Sequence, residues 1–254
     1  MATELKSADR RVLYLYGMTE SHPAKPVRQA GVDLKSPIAA IECEGMVCWV
    51  SSVSAEEFEL SLAANMEDLD WLAVASVAHQ RAIAALAHDL EILPARFGTV
   101  FRDENSLRKH IRSRVAELAK DFKRVKDADE WGVKVFQTGP VATTIPKVRS
   151  GKEYLMAKAA LLPSKQSAQI PKEDLAEFQT ALIAVAEDTA EPGRISGGQR
   201  GLAFQTTLLV RRANRQQLQS VLKKFSKKWA ATRSIECTGP WPPYSFVSQD
   251  AKSQ

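Results

Sequence analysis

Few side chains in this chain could do acid–base, metal or nucleophilic chemistry, and their spacing rarely brings two together. The histidines are His22, His79, His88 and His110. His79 falls on the apolar stripe of a helical segment, and His88 points to the other side of the same helix, about 180° away. The two cannot share a metal ion, and His79 reads as a histidine held in a core or groove. Cys43, Cys48 and Cys237 cannot all pair within one chain, so they read as reduced thiols. Cys43 and Cys48 flank a hairpin expected at Glu44-Gly45, without the knuckle spacing or further ligands of a zinc site. No serine sits in a G-x-S-x-G setting and no cysteine has an evident base. Carboxylates alternate with Lys and Arg on helix faces, as solvated surfaces do, and no pair has a reason for separated pKa values. The loop Ser196-Gly197-Gly198-Gln199-Arg200-Gly201 lacks the G-K-[ST] ending of a phosphate loop and precedes a strand. No catalytic residue, metal ligand or cofactor-binding residue is assigned, no cofactor is expected, and the chain does not read as an enzyme.

One charged feature invites a ligand. Lys223, Lys224, Lys227 and Lys228 form adjacent i, i+4 rows near a helix end. Such rows can bind nucleic acid, and they also complement the negative end of a helix dipole. The strand Phe204–Val210 lacks the basic–aromatic pattern of an RNA-binding sheet. An RNA- or nucleotide-binding α+β protein is therefore the alternative reading, with no nucleic acid expected as partner.

The elements that must position these residues follow from periodicity. The 254 residues, 44% hydrophobic and 26% charged, suit one large domain or two small ones. The net charge of +5 allows an acidic partner without demanding one. No apolar run reaches the length of about 18 residues that spans a bilayer, so no lipid membrane is expected. The first residues do not read as a signal peptide, and a cytoplasmic location is expected.

Val12–Met18 reads as a buried strand and residues 21–35, broken by His22-Pro23, Pro26 and Gly31, as a loop. Ile38–Glu44 and Met46–Val53 read as strands joined at Gly45. Ser54 should cap a helix starting at Glu56-Glu57. Leu69, Leu72, Ser76, His79, Ile83, Leu86 and Leu90 form one helical stripe, ended by Pro94. Arg96–Phe101 reads as a strand. Asp103 should cap a helix with Leu107, Ile111, Val115, Leu118 and Phe122 inward. A domain boundary is placed after residue 127, giving an N-terminal α+β domain over 1–127 with helices on one face of a small sheet.

Residues 128–254 form the expected second domain. It holds a strand at Trp131–Gln137, helical signals over 152–162 and 171–187, a loop over 192–201, and a strand at Leu202–Val210. Asn214 should cap a helix with Leu218, Leu222, Phe225 and Trp229 inward. A short strand follows at Ser234–Cys237. The fold class is α+β, with small mixed sheets, and the second domain is a ferredoxin-like layer with inserted helices. Two segments resist a plain core reading. Gly98 inside Arg96–Phe101 suggests a bulge or close backbone approach. The prolines of Gly239-Pro240-Trp241-Pro242-Pro243-Tyr244 forbid a central strand there. That segment reads as a rigid strap over the second domain's core rather than a docking surface.

At these same residues the chain resembles the gas vesicle protein F/L family. The matching segments are Tyr14-Leu15-Tyr16-Gly17, then Val50–Ser54 followed by Glu56-Glu57-Phe58, and a long helix with His79. Next come Leu93-Pro94-Ala95-Arg96-Phe97-Gly98-Thr99-Val100-Phe101, Glu130-Trp131-Gly132-Val133-Lys134-Val135, and Thr238-Gly239-Pro240-Trp241-Pro242-Pro243-Tyr244-Ser245-Phe246. They occur in the family's order across nearly the whole chain. Ala95 departs, standing where a larger aliphatic residue is expected, and residues 164–201 match least. The resemblance implies two α+β domains, the second ferredoxin-like with extra helices. It also implies a gas vesicle assembly factor and minor vesicle component within the cytoplasm. Such a factor would bind the small hydrophobic shell protein and other accessory proteins, and would restrain shell-protein aggregation during nucleation. The residues carried over as structural or interaction positions are Arg96, Phe97, Gly98, Thr99, Phe101, Trp131, Gly132, Gly239, Pro240, Trp241, Pro242, Pro243 and Tyr244.

Overall fold

The run Arg11–Thr19 (β1) is apolar at nearly every position, and it is buried at nearly every position, as a strand covered on both faces must be. In the computed structural model, which describes residues 10–23, 27–137, 172–191 and 201–248, β1 is a central strand of a five-stranded sheet. β2 (Ala39–Cys43) and β3 (Met46–Ser54) form a hairpin whose Glu44 and Gly45 both have positive φ, the conformation a two-residue type I′ turn requires. β3 pairs with β1 across a bulge between Leu15 and Gly17. On its other edge β1 pairs with β4 (Ile92–Pro94) and β5 (Val100–Phe101). Every one of these pairs is antiparallel, so this sheet is not mixed.

Helices cover both faces of the sheet rather than one. A four-residue helix α1 (Leu62–Asn65) leads into α2 (Leu69–Ala87). α2 turns Ala75, Ala78, His79, Ala82, Ile83 and Leu86 inward, onto a core that includes Tyr14, Tyr16 and Trp49. The inward alanines let helix and sheet approach closely. On the opposite face lies α3 (Glu104–Val125), whose Arg108 donates to the Glu42 carbonyl and acts electrostatically on Cys48, the neighbour of Trp49. Asp103 caps α3 through a reciprocal box with Ser106.

Three expectations for this unit are corrected. The segment after β3 is a π-helical turn, Glu56–Leu60, without side-chain capping, because Ser54 is already spent as the last residue of β3. Leu69 is not on the inner stripe: α2 begins there, capped by Asp68, and Leu69 is 78% exposed. Pro94 does not end α2, which stops at Ala87, but lies in β4.

The second unit comprises Asp129–Pro240, and the chain rejoins the first unit from Trp241. Its four strands lie in the order β7–β8–β6–β9, taking β6 as Ala128–Gln137, β7 as Asp188–Ala190, β8 as Leu202–Arg211 and β9 as Arg233–Trp241. α4 (Lys172–Ile183) precedes β7, and α5 (Arg215–Trp229) joins β8 to β9. The described elements thus run strand, helix, strand, strand, helix, strand. β7 was not legible in the sequence. The helix read over 171–187 ends at Ile183, and after a short turn Asp188–Ala190 pairs antiparallel with Thr207–Leu209. Asn214 starts α5 without a side-chain cap, since a 3-10 turn over Arg212–Asn214 already leads into the helix. The helical signals over 152–162 and the loop over 192–200 lie outside the described residues. Phe178, Leu182, Phe225 and Trp229 meet Val133, Val135, Leu208 and Val210 in this unit's core. Lys224 and Lys228 reach Glu177, and Lys228 and Arg233 reach Asp174. Part of the lysine array is therefore engaged with α4.

Candidate functional site

The signature segment that follows α2 folds against β1. Ala95 N–H donates to the Tyr16 carbonyl (2.8 Å) and Leu15 N–H to the Thr99 carbonyl (2.9 Å). Between these contacts the chain leaves the sheet in a turn, so Arg96–Phe101 is not one strand. Thr99 closes the turn by donating its N–H (3.2 Å) and its hydroxyl (2.8 Å) to the Arg96 carbonyl. Gly98 occupies its third position at φ +79°, a conformation that costs glycine little and other residues more.

The turn aims Phe97 inward and leaves Arg96 exposed. The Phe97 ring lies 5.6 Å from His79, 6.1 Å from Trp71 and 6.3 Å from Tyr14, each edge to face. Tyr16 and Tyr244 complete the surroundings of His79, at 6.1 and 6.5 Å. Phe101 sits apart, in β5, against His110.

Tyr14 ties this cluster together. Its hydroxyl accepts from Gly98 N–H and lies 3.0 Å from His79 Nδ1. A phenol that already accepts is best used as a donor to the ring nitrogen. We therefore assign Nδ1 as acceptor and place the imidazole hydrogen on Nε2. The Ala95 carbonyl acts on the ring electrostatically, but Nε2 closes no hydrogen bond. Burial lowers the His79 pKa to about 4 and raises that of Tyr14 well above its ordinary value. His79 is a neutral, buried hydrogen-bond acceptor, without the solvent contact that acid–base turnover needs.

The closing segment belongs to the same unit. Trp241 is half exposed, and Pro243 is buried. The 3-10 turn Tyr244–Phe246 places the Phe246 ring in the core. Asp121 of α3, itself buried, accepts from Ser248 N–H (2.7 Å) and its hydroxyl (2.9 Å). Arg124 donates to the Phe246 carbonyl. The strap read over the second core thus closes, from Trp241 on, within the first unit, where the buried Asp121 carboxylate and the Phe246 side chain hold it.

Trp131, Gly132, Gly239 and Pro240 form a separate set in the second unit. Arg215 lies over the Trp131 ring at 5.3 Å. A Cβ on Gly132 would meet Thr238 Oγ1 at 2.9 Å, and one on Gly239 would meet the Glu130 carbonyl at 2.8 Å. These glycines permit close approach of β6 and β9. β9 continues through Gly239-Pro240, which the sequence reading excluded for a central strand. It runs there because β9 is an edge strand, where proline leaves no ladder bond unmade.

Trp71, Asp121 and Ser248 were not singled out from sequence, and Tyr14 was read only as part of a strand and of a matching segment, without its hydrogen-bonding role. The signal for Tyr14 was present in the same apolar strand, while Asp121 was hidden among charged neighbours on α3. Among the described residues no group of three or more His, Cys, Asp or Glu is placed to hold a metal, and no helix is long and apolar enough to cross a membrane.

The geometry defines a two-unit α+β scaffold whose signature residues hold turns, close strand contacts and a strap. The chain belongs to the gas vesicle synthesis protein GvpL/GvpF family, whose model matches residues 12–248. A gas vesicle protein L from Streptomyces sp. (strain CB03234) is 29% identical over 251 residues, 93% of each chain. The crystal structure of the gas vesicle protein GvpF from Anabaena sp. PCC7120 superposes with a TM-score of 0.64 at 17% identity, over 94% of this chain and 99% of that one. The GvpF structure from Microcystis aeruginosa gives 0.65 at the same identity and coverage. At that identity the structures establish a shared fold.

Proposed function

We propose that this chain is a non-enzymatic gas vesicle assembly factor and minor vesicle component. It binds the small hydrophobic shell protein, limits that protein's aggregation during nucleation, and works with other vesicle accessory proteins in the cytoplasm. The observation that carries this reading is the family match over residues 12–248. The physical requirement agrees: a subunit with a large apolar face needs a covering surface until it polymerises. The signature residues Arg96–Thr99, Phe101, Trp131, Gly132 and Gly239–Tyr244 act chiefly as conformational devices under this reading. The second unit is taken as a modified ferredoxin-like layer, supported by its element order and its strand order.

Affinity purification of the tagged full chain from cells producing vesicle proteins tests the reading. Shell protein recovered with the chain supports it. A chain recovered with no vesicle protein contradicts it.

A further inference from the structure

The outward face of α2 departs from the pattern of the other long helices. α3 turns Lys109, Arg112 and Lys120 to solvent, and α5 turns out Lys223, Lys224 and Lys227. α2 carries only Asp70 and Arg81 as charged residues besides its buried, neutral His79. Its outward positions include Leu69, 78% exposed, Val74 at 56% and Val77 at 49%. Leu60 and Met66, just before α2, are exposed as well. Five of the eight large hydrophobic residues exposed among the described residues therefore fall between residues 60 and 77. Leu69, Val74 and Val77 fall within about 140° of one another around α2, and contiguous exposed apolar surface of this kind marks an interaction site.

The charge around the patch says what covers it. Although the whole chain is net +5, residues 56–80 hold Glu56, Glu57, Glu59, Glu67, Asp68 and Asp70 and no Lys or Arg. Some of these acids are engaged locally. Glu59 pairs with Arg10, Glu57 accepts from the Trp71 indole, Glu56 accepts from Ser61 and Asp68 caps α2. Glu67 and Asp70 are exposed beside Met66 and Leu69. The N-terminal end of the patch is thus edged with negative charge, and the exposed Arg81 follows Val77 by one helical turn. Leu69, Ala73 and Val77 lie one helical turn apart along a ridge of about 12 Å, and the small exposed Ala73 and Ala84 leave notches for a second helix to approach.

We propose that the outer face of α2, with Leu60 and Met66, docks an amphipathic helix of another chain whose apolar stripe is edged by Lys or Arg. The docking rests on the assembly reading only in taking that chain to be the shell protein.

The direct test titrates the full-length protein with two fluorescent synthetic helical peptides. Both carry a Leu/Ala stripe, edged in one by lysines and in the other by glutamates. The lysine-edged peptide binds, its affinity falls with added salt, and the glutamate-edged peptide binds at least about tenfold more weakly. Leu69→Asp with Val77→Asp lowers affinity by about tenfold or more. Glu67→Lys with Asp70→Asn does the same and leaves every apolar residue in place. All four positions are exposed, and circular dichroism confirms that each variant is folded. The proposal is overturned if the lysine-edged peptide does not bind at about 100 μM, or if folded variants of both kinds bind like wild type. Sedimentation of the free protein as a dimer that Leu69→Asp dissociates also overturns it, because a second copy then covers the face. Co-expression with the shell protein separates this claim from the assembly role. If wild type and α2 variants recover shell protein equally, the docking face is wrong and the role stands. If wild type recovers none while the peptide results hold, the role is wrong and the face stands.

Discussion

At the scale of single residues, His79 is the side chain whose chemistry is most altered by the fold. Its pKa falls to about 4 because it is buried, against an ordinary value of about 6.5. Below pH 6.5 the unfolded chain takes up a proton that the folded chain refuses, so this contribution to stability is present above about pH 6.5 and is lost as pH falls toward 4. The full difference corresponds to about 3 kcal/mol. Urea unfolding at a series of pH values should show the wild type losing more stability between pH 7 and pH 4.5 than His79→Gln loses over the same range. Equal pH slopes would contradict the assignment. Gly98 makes a second residue-scale case, since its φ is +79° and a Cβ would meet Leu62 at 3.0 Å. Gly98→Val should cost about 1–3 kcal/mol, read as a lower midpoint in denaturant.

Among the elements, the closing strap is the clearest case of a feature that sequence placed in the wrong unit. Gly239–Tyr244 read as a proline-stiffened aromatic strap over the second core, but where its Trp241–Tyr244 part packs depended on Asp121. In sequence Asp121 is one acid in a charged helix; in the fold it is buried and receives two hydrogen bonds from Ser248. Asp121→Ala should destabilise the protein by about 2 kcal/mol. Phe246→Ala should cost about 3–5 kcal/mol. Both should speed amide exchange in the 241–248 segment before exchange rises elsewhere, and unchanged exchange there would contradict the strap. The long elements were legible: α3 and α4 follow the helical period, while β1 and β8 were found as runs of strand-forming apolar residues. What failed depended on tertiary partners. β7 is three residues long and exists only by pairing with β8. The Arg96–Phe101 segment has strand-forming residues, yet Gly98 and the Tyr14 hydroxyl turn it out of the sheet. The α2 stripe was read too far toward its start, because Leu69 fits the inner period although the helix only begins there.

For the molecule as a whole, the two units account for the signature differently. Arg96–Phe101 and Trp241–Tyr244 serve the first core, while Trp131, Gly132, Gly239 and Pro240 serve the second sheet. The family assignment was legible in the sequence because these segments occur in order along the chain. The docking surface was not, because its residues fit the helical period as well as a core stripe does, and only their exposure distinguishes them. The net positive charge is also uneven: the lysines of α5 partly pair with Asp174 and Glu177, whose pKa values fall through hydrogen bonds led by Lys228, whereas residues 56–80 are wholly acidic among their charged groups apart from the histidine. Under the proposed role nucleic acid is not the expected partner, and purified protein should carry none that elutes steeply with salt.

The central claim is that this chain restrains the shell protein before it polymerises. The most direct measurement is the fraction of shell protein left in the supernatant after high-speed centrifugation of cells producing it with and without this chain. The account predicts a larger supernatant fraction, with the shell protein bound to this chain, when the two are made together. An unchanged fraction with no complex would contradict it.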